Sequence, residues 1–301
     1  MNIQAKAPDR NNRLKDYLQL TKPSLNIMVV FSSVISYLLA PNVVEYSWKM
    51  IFLLFAGGFL VTGSANAINQ TVEKETDAMM KRTAKRPVAA GRMSVTEGWA
   101  FAIITGIAGV VTLGYFFNWL SAGVAAFSLF LYAFVYTPLK KKNAIAVFVG
   151  AFPGALPCLI GWTAGTGMFL PFETMVVNGV TYSNLGGWIL FAIQFLWQFP
   201  HFWAIAWVAH KDYSTAGFKL LPSEAGPTKF TAMQTIVYSV LLLPVGILPY
   251  TINMSGTTGI IVVTLANIFL IVQCVRLYIN MDVASARRVM FSSYIHLPVV
   301  L

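Results

Sequence analysis

The chain has 301 residues, 57% of them hydrophobic and only 11% charged, with a mean hydropathy of +0.66. That composition excludes a soluble globule and a disordered chain, and points to a polytopic membrane protein. The formal net charge of +10 is then first a topology signal, so the lipid bilayer is the expected partner and nucleic acid is not. Cys158 and Cys274 both lie inside apolar runs, which excludes a disulfide scaffold and a thiolate metal cluster.

In chain order, runs of about 20 apolar residues, the length a helix needs to cross a bilayer, fall near 24–40, 48–72, 97–115, 119–136, 144–165, 186–209, 230–250 and 257–279. A shorter ninth begins near Val289 and runs to Leu301. Of the 21 Lys and Arg, all but Lys49 fall in residues 1–23, 73–96, 137–143, 210–229 and 276–288. This asymmetry predicts an all-α integral membrane fold of about nine transmembrane helices, with the N-terminus and four basic loops in the cytoplasm. Residues 1–20, with Asp9 and Asp16 among basic residues, contain no apolar h-region or small-residue cleavage site, so no cleavable signal peptide is expected. Residues 1–301 therefore read as one polytopic domain with a cytoplasmic N-terminal segment, in a bacterial inner membrane by default.

An internal parallel appears at an offset of 135 residues: Asp77, Pro87, Ala90 and Gly91 correspond to Asp212, Pro222, Ala225 and Gly226. It fits a duplicated four-helix unit whose two loops face one cavity.

The second span ends in a polar stripe. At about 100° per residue, Thr62, Asn66, Asn69, Glu73 and Asp77 fall within an arc of roughly 80°. Charge inside a bilayer is costly, so the stripe should face a wet cavity. Oxygen ligands at this spacing suit Mg²⁺, which is commonly held by one or two carboxylates together with substrate phosphates. Lys81, Arg82, Lys85, Arg86 and Arg92 follow directly, and arginine forks pair phosphate oxygens. Topology alone accounts equally well for these cations, but it leaves Asn66 and Asn69 unexplained. In the sixth span Gln194, Gln198 and His201 share an arc of roughly 60°, which Asp212 would join if the helix ran on. A lone histidine in such a helix is more often a hydrogen-bonded packing residue than a ligand.

The string Asn69-x-x-x-Glu73-x-x-x-Asp77-Ala78-Met79-x-x-Arg82-Thr83-x-x-Arg86-Pro87 resembles the first signature of the UbiA prenyltransferase superfamily. Its tail is similar to the branch of that family that farnesylates haem. Thr21-Lys22-Pro23, Tyr136-Thr137-Pro138-Leu139-Lys140, Gly150-Ala151-x-Pro153-Gly154-Ala155-x-Pro157 and Trp197-Gln198-x-Pro200-His201-Phe202 are similar to that branch too. Asp212-Tyr213-x-x-Ala216-Gly217 completes the series. The chain departs from the family pattern at Glu73, where aspartate is usual, and at Val208, where the second signature of the wider family carries an acid.

The resemblance implies a nine-helix UbiA-type bundle, Mg²⁺-dependent use of farnesyl diphosphate, and farnesyl transfer to the 2-vinyl group of haem B, giving haem O and diphosphate. It implies Asn69, Glu73, Asp77 and Asp212 as metal ligands and Lys22, Arg82, Arg86 and Lys140 as the diphosphate site. His201 is implied at the haem, as iron ligand or proton acceptor, and the site is expected at the cytoplasmic face. Haem A synthase or terminal oxidase assembly factors are the implied receivers of product. Two other readings stay open: an aromatic prenyltransferase of quinone or chlorophyll synthesis, and a secondary transporter using the Asn/Glu stripe.

Overall fold

The computed structural model describes residues 10–223 and 225–301, with side chains from Arg13 onward. Asp9, read above as part of the N-terminal segment, lies outside the described residues.

The chain enters through α1 (Arg10–Thr21), which meets α2 (Pro23–Leu38) at a 45° bend. Pro23 has no N–H to continue the helical ladder and Lys22 adopts a left-handed backbone, φ 52°. The long α3 (Trp48–Val72) starts where the Ser47 hydroxyl accepts from the Met50 amide, and Glu73 separates it from the short α4 (Lys74–Met79). The helix α5 (Val95–Phe116) is capped by Ser94, whose hydroxyl accepts from the Glu97 amide at 3.1 Å. Glu97 in turn receives Arg13 at 2.6 Å and the Tyr17 hydroxyl at 2.7 Å, while Arg92 pairs with Asp16, so α1 is pinned beside the loop that follows α4.

The next span is α6 (Trp119–Phe130), a π-helical segment Leu131–Tyr136 and α7 (Thr137–Leu139), which delivers Lys140 at its end. In α8 (Ile145–Thr166), Pro157 frees the Pro153 carbonyl, and Ser128 donates to it at 3.1 Å, so the helix continues through both prolines. Two strands, β1 (Thr174–Val177) and β2 (Val180–Ser183), pair antiparallel around Asn178-Gly179, both at positive φ. The remaining elements are α9 (Leu185–Val208), α10 (His210–Thr215), α11 (Lys229–Thr251), α12 (Thr257–Asn280) and α13 (Val283–Val300).

Among the described residues seven helices are long and apolar enough to cross a membrane, or eight if α1 and α2 count as one bent span. The sequence predicts nine; α13 is a full helix, but Arg287, Arg288, His296 and three serines dilute its apolar character. The hairpin is the other departure from an all-α expectation. Its Asn-Gly turn between β-branched residues is a direct hairpin signal.

The packing has a repeated order. In the first half α3 lies against α2 and α5, and α5 against α6; in the second, α9 lies against α8 and α11, and α11 against α12, with α13 added against α9 and α12. Each half carries a long helix broken into a short one, α3–α4 and α9–α10, followed by a glycine at positive φ, Gly91 and Gly226. Small residues let the helices approach: a Cβ at Gly109 would sit 2.8 Å from the Gly57 carbonyl, and one at Gly161 would collide with that of Ser33.

Candidate active site

The break between α1 and α2 is the first positioning device. It interrupts the backbone ladder at the end of α1, and two amide side chains from α3 donate to the carbonyls there. Gln70 donates to the Gln19 and Leu20 carbonyls at 3.2 and 2.8 Å, and Asn66 donates to the Thr21 carbonyl at 3.2 Å and to Asn26 Oδ1 at 2.9 Å. The clamp holds Lys22 so that its Nζ donates to Asn69 Oδ1 at 3.2 Å. Asn66 is thus a backbone clamp rather than part of a wet stripe, and Gln70 does the same work. At about 100° per residue Gln70 falls only about 20° beyond Asp77, at the margin of the polar arc, and a glutamine in an apolar span is the signal that could have found it.

Glu73 and Asp77 lie at the helix break and are nearly or fully shielded, 6% and 0% exposed. Asp77 is held by the loop that follows: Thr83 donates to its main-chain carbonyl at 2.9 Å, and Arg86 brings Nη1 within 2.7 Å of both carboxylate oxygens. Glu73 receives its cation from elsewhere in the chain. Lys140 Nζ lies 2.6 Å from Glu73 Oε1, over the rings of Tyr136 and Phe218 at 5.0 and 5.4 Å. Burial pushes the Lys140 ammonium below the ordinary lysine range, and the charge of Glu73 opposes that shift. Asn69 also reaches Thr137 on α7, Nδ2 to Oγ1 at 3.5 Å. Lys22, Asn69, Glu73, Asp77, Arg86 and Lys140 therefore form one constellation drawn from three stretches of chain.

The stretch from α10 into the loop that follows packs against it. Tyr213 accepts from Arg82 Nη2 at 3.3 Å, with the Arg82 guanidinium carbon 5.7 Å from its ring centre, and the Lys219 amide donates to the Lys140 carbonyl at 2.9 Å. Burial raises the Tyr213 hydroxyl above its ordinary range, and Arg82 and Arg86 both act to lower it. Asp212, by contrast, sits half-buried in the first turn of α10. Among the described residues it does not join Glu73 and Asp77: no three His, Cys, Asp or Glu side chains converge as a metal site. Lys81, Lys85, Lys141 and Lys142 are exposed, as topological anchors would be.

The donor chemistry nevertheless fits Mg²⁺ carried in with a diphosphate. Two carboxylates and one amide oxygen suit a hard cation that keeps substrate oxygens in its shell. Each carboxylate is neutralised by one cation here, and Lys22 donates to a neutral amide. Three cations around two carboxylates leave positive charge for an anion.

In α9 the polar stripe divides. Gln194 and Gln198 turn to α8, donating to the Gly154 and Ala151 carbonyls at 2.7 and 3.0 Å, and Cys158 donates to Gln194 Oε1. They serve helix packing. His201 turns instead to α13, with Nδ1 2.8 Å from Ser293 Oγ. Its ring stacks on Trp197 at 4.4 Å and meets Phe202 and Tyr294 edge-on. The break at Ala209 keeps Asp212 off this face. Of the other α9 aromatics, Phe195 packs edge-on against Phe148 and Phe152 of α8 and against Phe199, and Trp203 meets Phe199.

A bundle of membrane helices with paired carboxylates and cations gathered at one end is a setting suited to an intramembrane group-transfer enzyme. The sequence model of the UbiA prenyltransferase family matches residues 29–295, and the chain belongs to that family. It is a multi-pass membrane prenyltransferase. The protoheme IX farnesyltransferase of Cytophaga hutchinsonii is 42% identical to it over 292 residues, covering 96% of each chain. Two solved structures share the fold. A digeranylgeranylglyceryl phosphate synthase superposes with a TM-score of 0.75 at 22% identity, covering 96% of each chain. A UbiA homolog from Archaeoglobus fulgidus, solved with GPP and Mg²⁺, gives 0.65 at 15% identity, covering 95% of this chain and 98% of its own.

Proposed function

We propose that this chain farnesylates haem B: it transfers the farnesyl group of farnesyl diphosphate to the 2-vinyl group and yields haem O. The allylic C–O bond breaks with its electron pair leaving on diphosphate, and the allylic carbon bonds to the terminal vinyl carbon. Water then adds to the carbon next to the porphyrin and gives up a proton, leaving a hydroxyethylfarnesyl side chain.

Lys22, Arg86 and Lys140 carry this reading, because they supply positive charge beside the paired carboxylates, where a diphosphate would gather negative charge as it departs. Asn69, Glu73 and Asp77 would hold Mg²⁺, and Asp212 is the fourth candidate from the facing loop. The metal would act as a Lewis acid toward the leaving group. On holding the metal, Glu73 and Asp77 would release Lys140 and Arg86 to the phosphate oxygens, so that no charge would be left buried alone. Arg82, held by Tyr213 of α10, adds a cation from the rim. The similarity to the Cytophaga hutchinsonii protein, over nearly the whole of both chains, supports farnesyl diphosphate and haem as the substrates. His201 would serve the acceptor, through its free ring nitrogen. The whole chain would act as one domain of a bacterial inner membrane, its site at the cytoplasmic face, where the basic loops gather.

Purified protein in detergent, given Mg²⁺, farnesyl diphosphate and haem B, should form haem O, detected by mass spectrometry. Haem left unmodified while a hydroxybenzoate or quinol acceptor is prenylated would replace this reading with the aromatic one.

A further inference from the structure

The contacts of His201 define which of its nitrogens is free. Ser293 Oγ donates its single proton to the Met290 carbonyl, 2.6 Å away, the common back-bond of a helical serine. Toward His201 it therefore offers a lone pair, and the 2.8 Å contact needs the proton on His201 Nδ1. Nε2 then carries the ring's other lone pair, and among the described residues it makes no hydrogen bond. The same serine anchors the neighbouring ring: Trp197 Nε1 donates to the Ser293 carbonyl at 2.9 Å, and Trp197 lies stacked on the imidazole, 16° from parallel. One residue of α13 thus fixes the tautomer through its hydroxyl and the ring plane through its carbonyl.

We propose that Ser293 is a positioning residue, which presents His201 as the Nδ1–H tautomer with Nε2 as its free electron-pair donor toward the acceptor substrate. The proposal deepens the reading of His201 above and rests on it. It also gives α13 a part in the reaction. Either use of Nε2, bonding to haem iron or receiving a proton from the adding water, needs this tautomer, since Nε2–H has no lone pair in the ring plane.

The chain has only three histidines, His201, His210 and His296, so ¹⁵N-histidine NMR of the detergent-solubilised protein can read each ring, with His201→Gln assigning the signal. Wild type should show a protonated Nδ1 and an unprotonated Nε2 at His201. Ser293→Ala should mix the tautomers, raise KM or lower kcat for haem about tenfold, and leave KM for farnesyl diphosphate unchanged. Ser293→Thr, which keeps the hydroxyl, should restore both the tautomer and the haem parameters. A wild-type Nε2–H tautomer at His201 overturns the proposal whether or not the Ser293 variants fold. So does a Ser293→Ala protein with unchanged tautomer, or with a changed tautomer and unaltered haem kinetics. Absence of haem O from every preparation would instead fail the functional reading, while the NMR spectrum would still decide, separately, whether Ser293 sets the tautomer.

Discussion

The two halves of the bundle carry the same device with different chemistry. Both α3–α4 and α9–α10 are long helices broken near one end, each followed by a loop with a glycine at positive φ. The first break gathers two shielded carboxylates, Asp77 matched by Arg86 of the loop that follows and Glu73 by Lys140 from a distant span. The second has Val208 at its end and a half-buried Asp212, and its histidine lies further back along α9, where His201 meets α13. Under the proposed function the repeated frame would be divided: one copy would bind the diphosphate, and the other would address the acceptor.

The sharpest way to break this comparison is at Asp77. Asp77→Asn keeps the shape and every basic residue, so the protein should insert and purify normally but lose at least about 100-fold in turnover. Raised Mg²⁺ should recover part of the loss; turnover near wild type at limiting Mg²⁺ would remove Asp77 from the metal set.

The Glu73–Lys140 pair separates stability from catalysis. Lys140→Met alone leaves a shielded carboxylate unpaired, a cost of about 3–5 kcal/mol, visible as a lowered Tm in detergent. Adding Glu73→Gln should restore most of the Tm and none of the activity. Because burial lowers Lys140's hold on its proton, activity should fall as pH rises toward an ammonium pKa below the ordinary lysine range. Lys140→Arg should move that limb to higher pH.

The clamp at the α1–α2 break should act on substrate binding. Asn66→Ala frees the Thr21 carbonyl and loosens Lys22, with KM for farnesyl diphosphate rising about tenfold and haem KM unchanged. Asp212→Asn should cost less than Asp77→Asn in the same assay, because Asp212 stands outside the paired carboxylates; an equal loss would make the two loops equivalent at the metal.

The smallest perturbation tests sidedness. Val180→Cys in the exposed hairpin should label with an impermeant reagent from outside only. Cys158 and Cys274 are both buried, so the natural cysteines should stay silent.

Most of the helices are legible in the sequence because bilayer length and charge asymmetry are strong constraints. The span expected at 48–72 is α3, that at 144–165 is α8 within one residue, and that at 257–279 is α12. The first signature also brings Asn69, Glu73 and Asp77 together, since successive turns around one helix break carry all three. What stays hidden depends on contacts between distant segments. The polar α1 has no apolar run to betray it, and the purpose of Asn66 and Gln70 appears only once the break at Lys22 exposes carbonyls to them. Pairing of Glu73 with Lys140 spans 67 residues, and that of His201 with Ser293 spans 92. No local pattern around Ser293 marks it out. The hairpin is a different kind of miss, because Asn178-Gly179 stands in plain view.

The division of labour between the halves can be tested most directly by measuring both substrate affinities in two variants of the purified protein. Asp77→Asn should weaken binding of farnesyl diphosphate in the presence of Mg²⁺ and leave haem B affinity as in wild type. His201→Ala should show the opposite pattern, with haem binding weakened or its absorption spectrum altered and farnesyl diphosphate held normally. If both variants lose both ligands, or His201→Ala binds haem with an unchanged spectrum and makes haem O at the normal rate, the second half does not address the acceptor through His201.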